Sequence, residues 1–360
     1  MGGLTTTDKP VDPGELEVFL RHVTADLGAA MSAPLTWIGD ELGLWEAMAD
    51  GEPVSPSTLA SRAGTNERMT REWLCAQAAG GYVCHDPGTG MFDLPPAHAA
   101  VLVGGGPSDL RGGFDCLVGA LRSLDRALEA MRTGTGLGWD DHHDHFHRGV
   151  ERLFAPSYEA LLVNTWLPAL GSPIDKLAYG GTIADVGCGR GVAAVLLAKA
   201  FPLVRVDGFD AHDASIGVAK ELARTSGVDD RCAFTTVSAE EVPDGGYDLV
   251  CLLDCLHDMA DPFAAARRAR EIVAPDGVVM VVEPIAGDAV DDNLHPVGRL
   301  LYSTSTLACT PCSLDGGGPG LGAQAGPATM TEVLRSAGFG DVRVATTTAF
   351  NYVLDARPSV

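Results

Sequence analysis

Between Met31 and Asp50 the apolar residues Leu35, Ile38, Leu42, Trp45 and Met48 recur every three or four positions. That spacing predicts a helix with one buried face, and Pro34 is tolerated in its first turn. A shorter helix is predicted over Ser57 to Ala63, a turn at Gly64 and Thr65, and a longer helix over Asn66 to Ala79 that stops at Gly80 and Gly81. Two short strands follow, Tyr82 to His85 and Met91 to Leu94, joined by Asp86-Pro87-Gly88-Thr89-Gly90, which has the chemistry of a hairpin turn. Helix, turn, helix and hairpin in that order make a winged helix.

From residue 104 to residue 170 the pattern is helical, with Leu117, Leu121, Leu124 and Leu128 at helical spacing and a glycine-rich break at Gly134 to Gly138. After Thr182 the texture changes to short apolar runs alternating with alanine-rich helices, the signature of βαβ units and a parallel sheet. Strands are predicted at Thr182–Val186, Val204–Phe209, Cys232–Val237, Tyr247–Leu253, Gly277–Glu283, Val342–Ala345 and Phe350–Leu354. Residues 1 to 15 are polar and rich in Gly, Pro and Thr, which reads as a frayed tail.

A chain of 360 residues suits two domains. The expected division is a winged-helix-like dimerisation or substrate-wall domain at 1–103, a helical linker and lid at 104–170, and an α/β domain at 171–360. A formal charge of −23 repels phosphate backbones and anionic lipid. The second helix of the winged unit offers no basic face, because Glu67, Arg68, Arg71 and Glu72 cancel. Neither nucleic acid nor membrane is therefore expected as a partner. No apolar run is long enough to span a bilayer, and Met1 to Val11 lacks the features of a signal peptide, so a cytoplasmic chain is expected. The nine scattered cysteines read as reduced thiols.

The first strand of the α/β domain runs through Asp185 into Gly187-Cys188-Gly189-Arg190-Gly191 and on into the apolar helix Val192 to Phe201. Glycines there let the backbone turn sharply and approach a ligand at a helix N-terminus. A dinucleotide fingerprint requires Gly-x-Gly-x-x-Gly, and here the third glycine comes one residue early, which weakens the NAD reading. The second strand ends at Asp210, followed by Ala211, where a carboxylate can accept hydrogen bonds from both ribose hydroxyls; a solvated loop aspartate is the plainer reading.

The fourth strand delivers Asp254-Cys255-Leu256-His257-Asp258-Met259 to the carboxyl edge of the sheet, where open α/β sheets bind ligands, and the fifth brings Glu283 to the same edge. Glu283 either orients His257, binds substrate or satisfies a nearby helix N-terminus. The stretch Trp139-Asp140-Asp141-His142-His143-Asp144-His145-Phe146-His147 reads as a substrate-facing lid, which would make His142 and His143 substrate contacts, or as a solvated loop; a metal site is the least favoured reading. Cys309-Thr310-Pro311-Cys312 has redox spacing without the strand and helix that a redox motif needs. Tyr302, Ser305 and Thr306 lie in the Arg299–Gly326 piece, where an α/β fold of this kind often inserts substrate-binding structure.

Beyond this, Gly43-Leu44-Trp45, Arg71-Glu72-Trp73-Leu74, Asp185-Val186-Gly187-Cys188-Gly189, Asp254 to Met259, Glu283-Pro284, Asn293 to Arg299 and Ala349-Phe350-Asn351 resemble a bacterial group of class I S-adenosylmethionine-dependent methyltransferases with an N-terminal winged-helix-like domain. The resemblance spans residues 30 to 357. It implies a doubly wound, seven-stranded, Rossmann-like sheet with one antiparallel edge strand, a homodimer, and methyl transfer from S-adenosylmethionine to an O, N or C nucleophile of a small-molecule metabolite. On the same resemblance Asp185 supports the methionine part of the cofactor, Ser238-Ala239-Glu240-Glu241 the adenine edge without the usual Asp, and Asp254 with Cys255 completes the cofactor set. His257 then stands where small-molecule O-methyltransferases place the residue that takes the substrate proton, although many methyltransferases work without a base. Two other functions fit the same residues: a ligand-responsive regulator that kept the cofactor fold, and an S-adenosylmethionine-binding enzyme of other chemistry, such as cyclisation or decarboxylation.

Overall fold

The computed structural model describes residues 10–358. They divide into two compact units, one up to Phe114 and one from Asp115 onward. The sequence placed its first boundary at 103/104 and set 104–170 apart; the structure instead joins everything from Asp115 to the α/β unit.

The first unit opens with α1 (Pro13–Glu41), capped by the Asp12 side chain, which accepts from the Gly14 and Glu15 amides. The expected tail therefore becomes helix from residue 13, while residues 1–9 lie outside the described residues. Pro34 falls inside this helix rather than in a first turn. The helix predicted to run to Asp50 ends at Glu41, because Gly43 takes a φ of 65° and reverses the chain. Trp45 and Met48 keep their three-residue spacing across a short 3₁₀ turn (Glu46–Met48), and Trp45 Nε1 donates back to the Thr36 carbonyl at 2.9 Å. Next come α2 (Pro56–Ala63), α3 (Glu67–Ala79), the hairpin β1 (Cys84–Asp86) and β2 (Met91–Asp93), and α4 (Pro96–Leu102). Their core joins Leu44, Trp45, Leu59, Trp73, Leu74, Val83, Phe92 and Leu94.

The division between units falls within α5 (Arg111–Arg122), which is followed by α6 (Leu124–Thr133), a 3₁₀ turn at Trp139–Asp141 and α7 (Asp144–Ser157). Pro156 ends the regular ladder of α7, and the chain continues as a π-helical stretch, Tyr158–Trp166, before the single turn α8 (Leu167–Ala169).

The sheet then begins: β3 (Gly181–Val186), α9 (Val192–Ala200), β4 (Val204–Asp210), α10 (Asp213–Thr225), β5 (Cys232–Thr236), β6 (Tyr247–Leu253), α11 (Pro262–Ile272) and β7 (Val273–Pro284). The inserted piece is α12 (Pro296–Thr304), a second π-helical stretch at Ser305–Cys309, and α13 (Thr310–Asp315). The chain ends with α14 (Gly326–Ser336), β8 (Phe339–Thr347) and β9 (Asn351–Pro358).

The seven strands lie in the order β5-β4-β3-β6-β7-β9-β8. The antiparallel strand is β9, which sits between β7 and β8; the expectation of an antiparallel edge strand is corrected, since the edge itself is β8. Residues alternate between two cores, as a sheet covered on both faces requires. Leu249, Cys251 and Leu253 of β6 face one core, and Val250 and Leu252 the other.

Candidate functional site

The loop after β3 is built by three glycines with positive φ: Gly187 at 74°, Gly189 at 52° and Gly191 at 81°. Only glycine reaches these conformations cheaply, and two of the positions are also crowded. A Cβ at Gly187 would meet Cys255 Sγ at 2.7 Å, and one at Gly191 would meet Ala219 and Phe234 at 2.8 Å. The loop is stapled to the end of β4 by the Gly187 and Cys188 amides, which donate to the Phe209 carbonyl at 2.8 and 3.0 Å.

Asp210 closes the same corner. Its Oδ2 accepts from the Gly189 amide and its Oδ1 from the His212 amide, both at 2.8 Å. Each oxygen keeps a lone pair free for a ligand hydroxyl. Asp185 lies behind the loop, 1% exposed, accepting from the Ala194 amide in the first turn of α9 while Oδ2 finds no partner. Burial, and then the nearby Asp210 charge, push its carboxyl up to about 7. The cap on α9 is a structural use of Asp185, and the orphaned oxygen leaves acceptor capacity unused.

A cavity of about 530 Å³ opens in front of this loop, large enough for a cofactor. Gly187, Cys188, Gly189, Asp210, Ala211, Ser238, Ala239, Asp254 and Cys255 all line it, so the structure gathers along one wall every cofactor residue expected from the motifs except Asp185. The glycine cradle, the half-satisfied Asp210 and the orphaned Asp185 oxygen fit a ligand that carries a ribose diol and a polar end.

Asp254 is gripped by two side chains to which the motifs assigned no role. Tyr158, which lines the cavity from the start of the first π-helical stretch, donates its hydroxyl to Asp254 Oδ2 at 3.0 Å. Asn351, at the start of β9, donates to Asp254 Oδ1 at 2.8 Å. Asp254 is held at a φ of 52°, the one non-glycine residue with positive φ among the described residues. Burial, then Glu283, push its carboxyl up to about 8, and burial takes Asp258, another lining residue, to about 7. No motif spacing signals Tyr158, whose partner is 96 positions away.

His257 and Glu283 do not line the cavity; both are buried beside it, with His257 Nδ1 and Glu283 Oε2 2.5 Å apart. Burial pulls the imidazole pKa down, but Glu283 and Cys309 more than offset it and hold it well above its ordinary value. The thiol of Cys309, at the end of the second π-helical stretch, also hydrogen-bonds the ring.

The candidate substrate residues are placed elsewhere. His142 is buried, stacked on Phe146 with ring centres 4.6 Å apart and 3.7 Å from Cys312 Sγ; burial first, and then nearby charges, take it down to about 4. His143 meets Arg122 at 2.8 Å. Tyr302, Ser305 and Thr306 are also absent from the cavity wall, and Ser305 accepts from the Ala323 amide. The parts of the His-rich segment that do line it are Trp139, Asp140, Asp141 and His147. Among the described residues, no three His, Cys, Asp or Glu side chains are placed to hold a metal ion, and both cysteines of the Cys309–Cys312 pair are free thiols.

Comparison with known proteins follows the same two-part division. Residues 30–103 match the family model of an Rv2258c-like winged HTH domain, and residues 158–307 match that of a methyltransferase domain. The 27-O-demethylrifamycin SV methyltransferase of Amycolatopsis mediterranei is 30% identical over 139 residues, 36% of this chain and 51% of that protein. The chain thus spans about half the length of that curated relative. A candidate O-methyltransferase from Nostoc punctiforme superposes with a TM-score of 0.70 at 20% identity, covering 97% of this chain and 99% of the other. The O-methyltransferase NcsB1 of neocarzinostatin biosynthesis, solved with S-adenosylmethionine and 2-hydroxy-5-methyl naphthoic acid, gives 0.64 at 17% identity over 94% and 98% of the two chains.

Proposed function

From a chain that joins an Rv2258c-like winged HTH domain to a methyltransferase domain of the S-adenosylmethionine-dependent class I fold, we propose methyl transfer from S-adenosylmethionine to a hydroxyl oxygen of a small organic acceptor. The observation that carries this is the Gly187–Gly191 cradle, held to Asp210 at the same corner of one cavity, with the His257–Glu283 dyad buried beside it.

Bound S-adenosylmethionine supplies an electrophilic methyl group on a sulfonium. Asp210 binds the ribose through its two free lone pairs, and Ser238 and Ala239 flank the adenine edge. Asp254, fixed by Tyr158 and Asn351, faces the cationic end, whose charge favours the ionised form of its raised carboxyl.

His257 moves the acceptor proton. Glu283 holds Nδ1 and fixes the tautomer, leaving Nε2 as the atom that takes a proton from the hydroxyl. The Glu283 charge raises the ring's affinity for that proton, which favours its transfer from the hydroxyl. Acidic phenols, such as hydroxylated aromatic acids of the kind solved with NcsB1, suit this site best.

The test is incubation of the full chain with S-adenosylmethionine and a panel of hydroxylated aromatic acids, phenols and macrocyclic alcohols. Release of S-adenosylhomocysteine together with an acceptor product heavier by one CH₂ is expected. Release without added CH₂, or none across the panel and an extract of the producing cells, contradicts the proposal.

A further inference from the structure

The segment from Gly136 to His147 carries residues that the donor site above does not use, and it runs across one end of the same cavity. On one side it is anchored to α13: the Leu137 amide donates to the Pro311 carbonyl at 3.0 Å. Gly136, at a φ of 81°, lies directly against the Asp315 backbone, and a Cβ at Gly138 would meet Asp315 Oδ2 at 2.7 Å. Two glycines are thus needed for the chain to lie this close to α13.

On the other side the segment reaches the turn after β4. The Trp139 and His147 rings stack at 5.2 Å and 24°, and His147 Nε2 donates to the Trp139 carbonyl at 3.0 Å. The His147 ring in turn meets His212 at 4.7 Å, while Asp140 Oδ1 lies 3.6 Å from His212 Nε2. His212 is held from below by Ser215 Oγ at 2.7 Å from its Nδ1, and its own amide is one of the two that donate to Asp210. Trp139, Asp140, His147 and His212 all line the cavity, as do Ala211, Ser238 and Ala239, and the Val237 amide donates to the Asp210 carbonyl at 2.9 Å, which brings the chain before Ser238 beside the His212 turn.

We propose that Trp139, Asp140 and His147 are donor-binding residues, forming with His212 an aromatic clasp that closes over the adenosine end of the cofactor cavity. The inference rests on the reading of that cavity as the S-adenosylmethionine site. A stacked pair of flat rings recognises a flat heteroaromatic ligand, because stacking needs only a π-face and no particular hydrogen-bond pattern. That suits an adenine edge where Ser238 and Ala239 stand in place of an acidic residue. The clasp ends on the Asp140–His212 contact, whose Asp140 side chain is 80% exposed. Such a pair adds little to folding, so its loss isolates the effect on ligand residence.

The experiment uses the full chain with S-adenosylhomocysteine as probe, followed by calorimetry and by stopped-flow tryptophan fluorescence. Asp140→Ala and His147→Ala are expected to speed ligand release by about threefold to tenfold, at most about 1.4 kcal/mol, with the association rate nearly constant. Trp139→Phe keeps a ring in the stack but removes the reporter, so the fluorescence change on binding, one signal among five tryptophans, is expected to vanish while binding heat persists. Wild-type binding with release rates unchanged in both variants, or an undiminished fluorescence change in Trp139→Phe, overturns the clasp alone. A wild-type chain that binds no S-adenosylhomocysteine overturns the donor reading and the clasp with it.

Discussion

Asp254 concentrates several costs in one residue: a left-handed backbone, burial, and a carboxyl held up to about 8 by burial and by Glu283. Asparagine tolerates that backbone and cannot ionise. Asp254→Asn is therefore expected to melt higher than the parent at pH 8.5 and to match it near pH 4. The sign follows from linkage: a carboxyl with a raised folded-state pKa contributes stability below its unfolded value of about 3.9, and that stability is lost as pH rises through the folded value. Asp185 and Asp258, both near 7, act in the same direction, so the ligand-free chain should melt progressively lower from about pH 5 to about pH 8.5. In a calorimetric titration Asp254→Asn should bind S-adenosylmethionine more weakly than the parent; equal affinity would remove Asp254 from the donor site. For the dyad, Glu283→Gln takes away the charge that offsets burial at His257. The rising limb of the pH–rate profile should move to lower pH and turnover fall by about 10²-fold. A limb that stays in place would assign the titration to another group.

Residues whose role depends on the chain just around them were legible in the sequence. The glycines of 187–191 and Asp210 announce a strand, a tight turn and a helix within a few positions, and the structure puts Gly187, Gly189 and Asp210 on the cavity wall. Tyr158 and His212 were not, because each acquires its meaning from a partner brought in by tertiary packing. His142 and His143 show the converse. They stand out by composition, yet one packs on Phe146 and the other meets Arg122.

At the level of elements, apolar periodicity gave the sheet well. The β6 prediction, Tyr247–Leu253, coincides with the strand, since a run that is apolar on both faces has few alternatives. The same signal failed between Leu42 and Met48, where a three-residue spacing persists in a 3₁₀ turn and Gly43 alone marks the reversal. Strand direction also left no local trace, so β9 was legible as a strand but not as the antiparallel member inside the sheet. Two π-helical stretches were unreadable in advance, yet each puts a side chain beside a functional group: Tyr158 at Asp254 and Cys309 at His257. Stretches of this kind are rare and frequent at functional sites. Elsewhere, α5 and α7 are tied together by Asp115, fully buried between Arg148 and Arg152. Asp115→Ala should lower stability by about 3 kcal/mol in urea unfolding, whereas a change below about 0.5 kcal/mol would mean the arginines are satisfied without it.

Across the whole molecule, the charge of −23 sets the surface against polyanions, and among the described residues no helix is long and apolar enough to cross a membrane. The winged unit does not break that pattern, since Arg68 of α3 pairs with Glu72 on the same helix. What α1 does offer is a run of exposed apolar residues, Leu16, Phe19, Leu20, Leu27 and Met31, on one long helix. We propose that the homodimer expected from the sequence resemblance uses this face. Light scattering should give a dimer for the parent and a monomer for Leu20→Glu combined with Leu27→Glu; a parent that is monomeric at micromolar concentration contradicts that assembly.

The central claim is that the cavity before the β3 loop is a methyl-donor site, and calorimetric titration of S-adenosylmethionine into the full chain, with NADH as comparison ligand, tests it without knowledge of the acceptor. One saturable site for S-adenosylmethionine, no heat from NADH, and loss of binding in Asp210→Ala are predicted. No binding of S-adenosylmethionine by the folded parent, or equal binding by Asp210→Ala, would contradict the account.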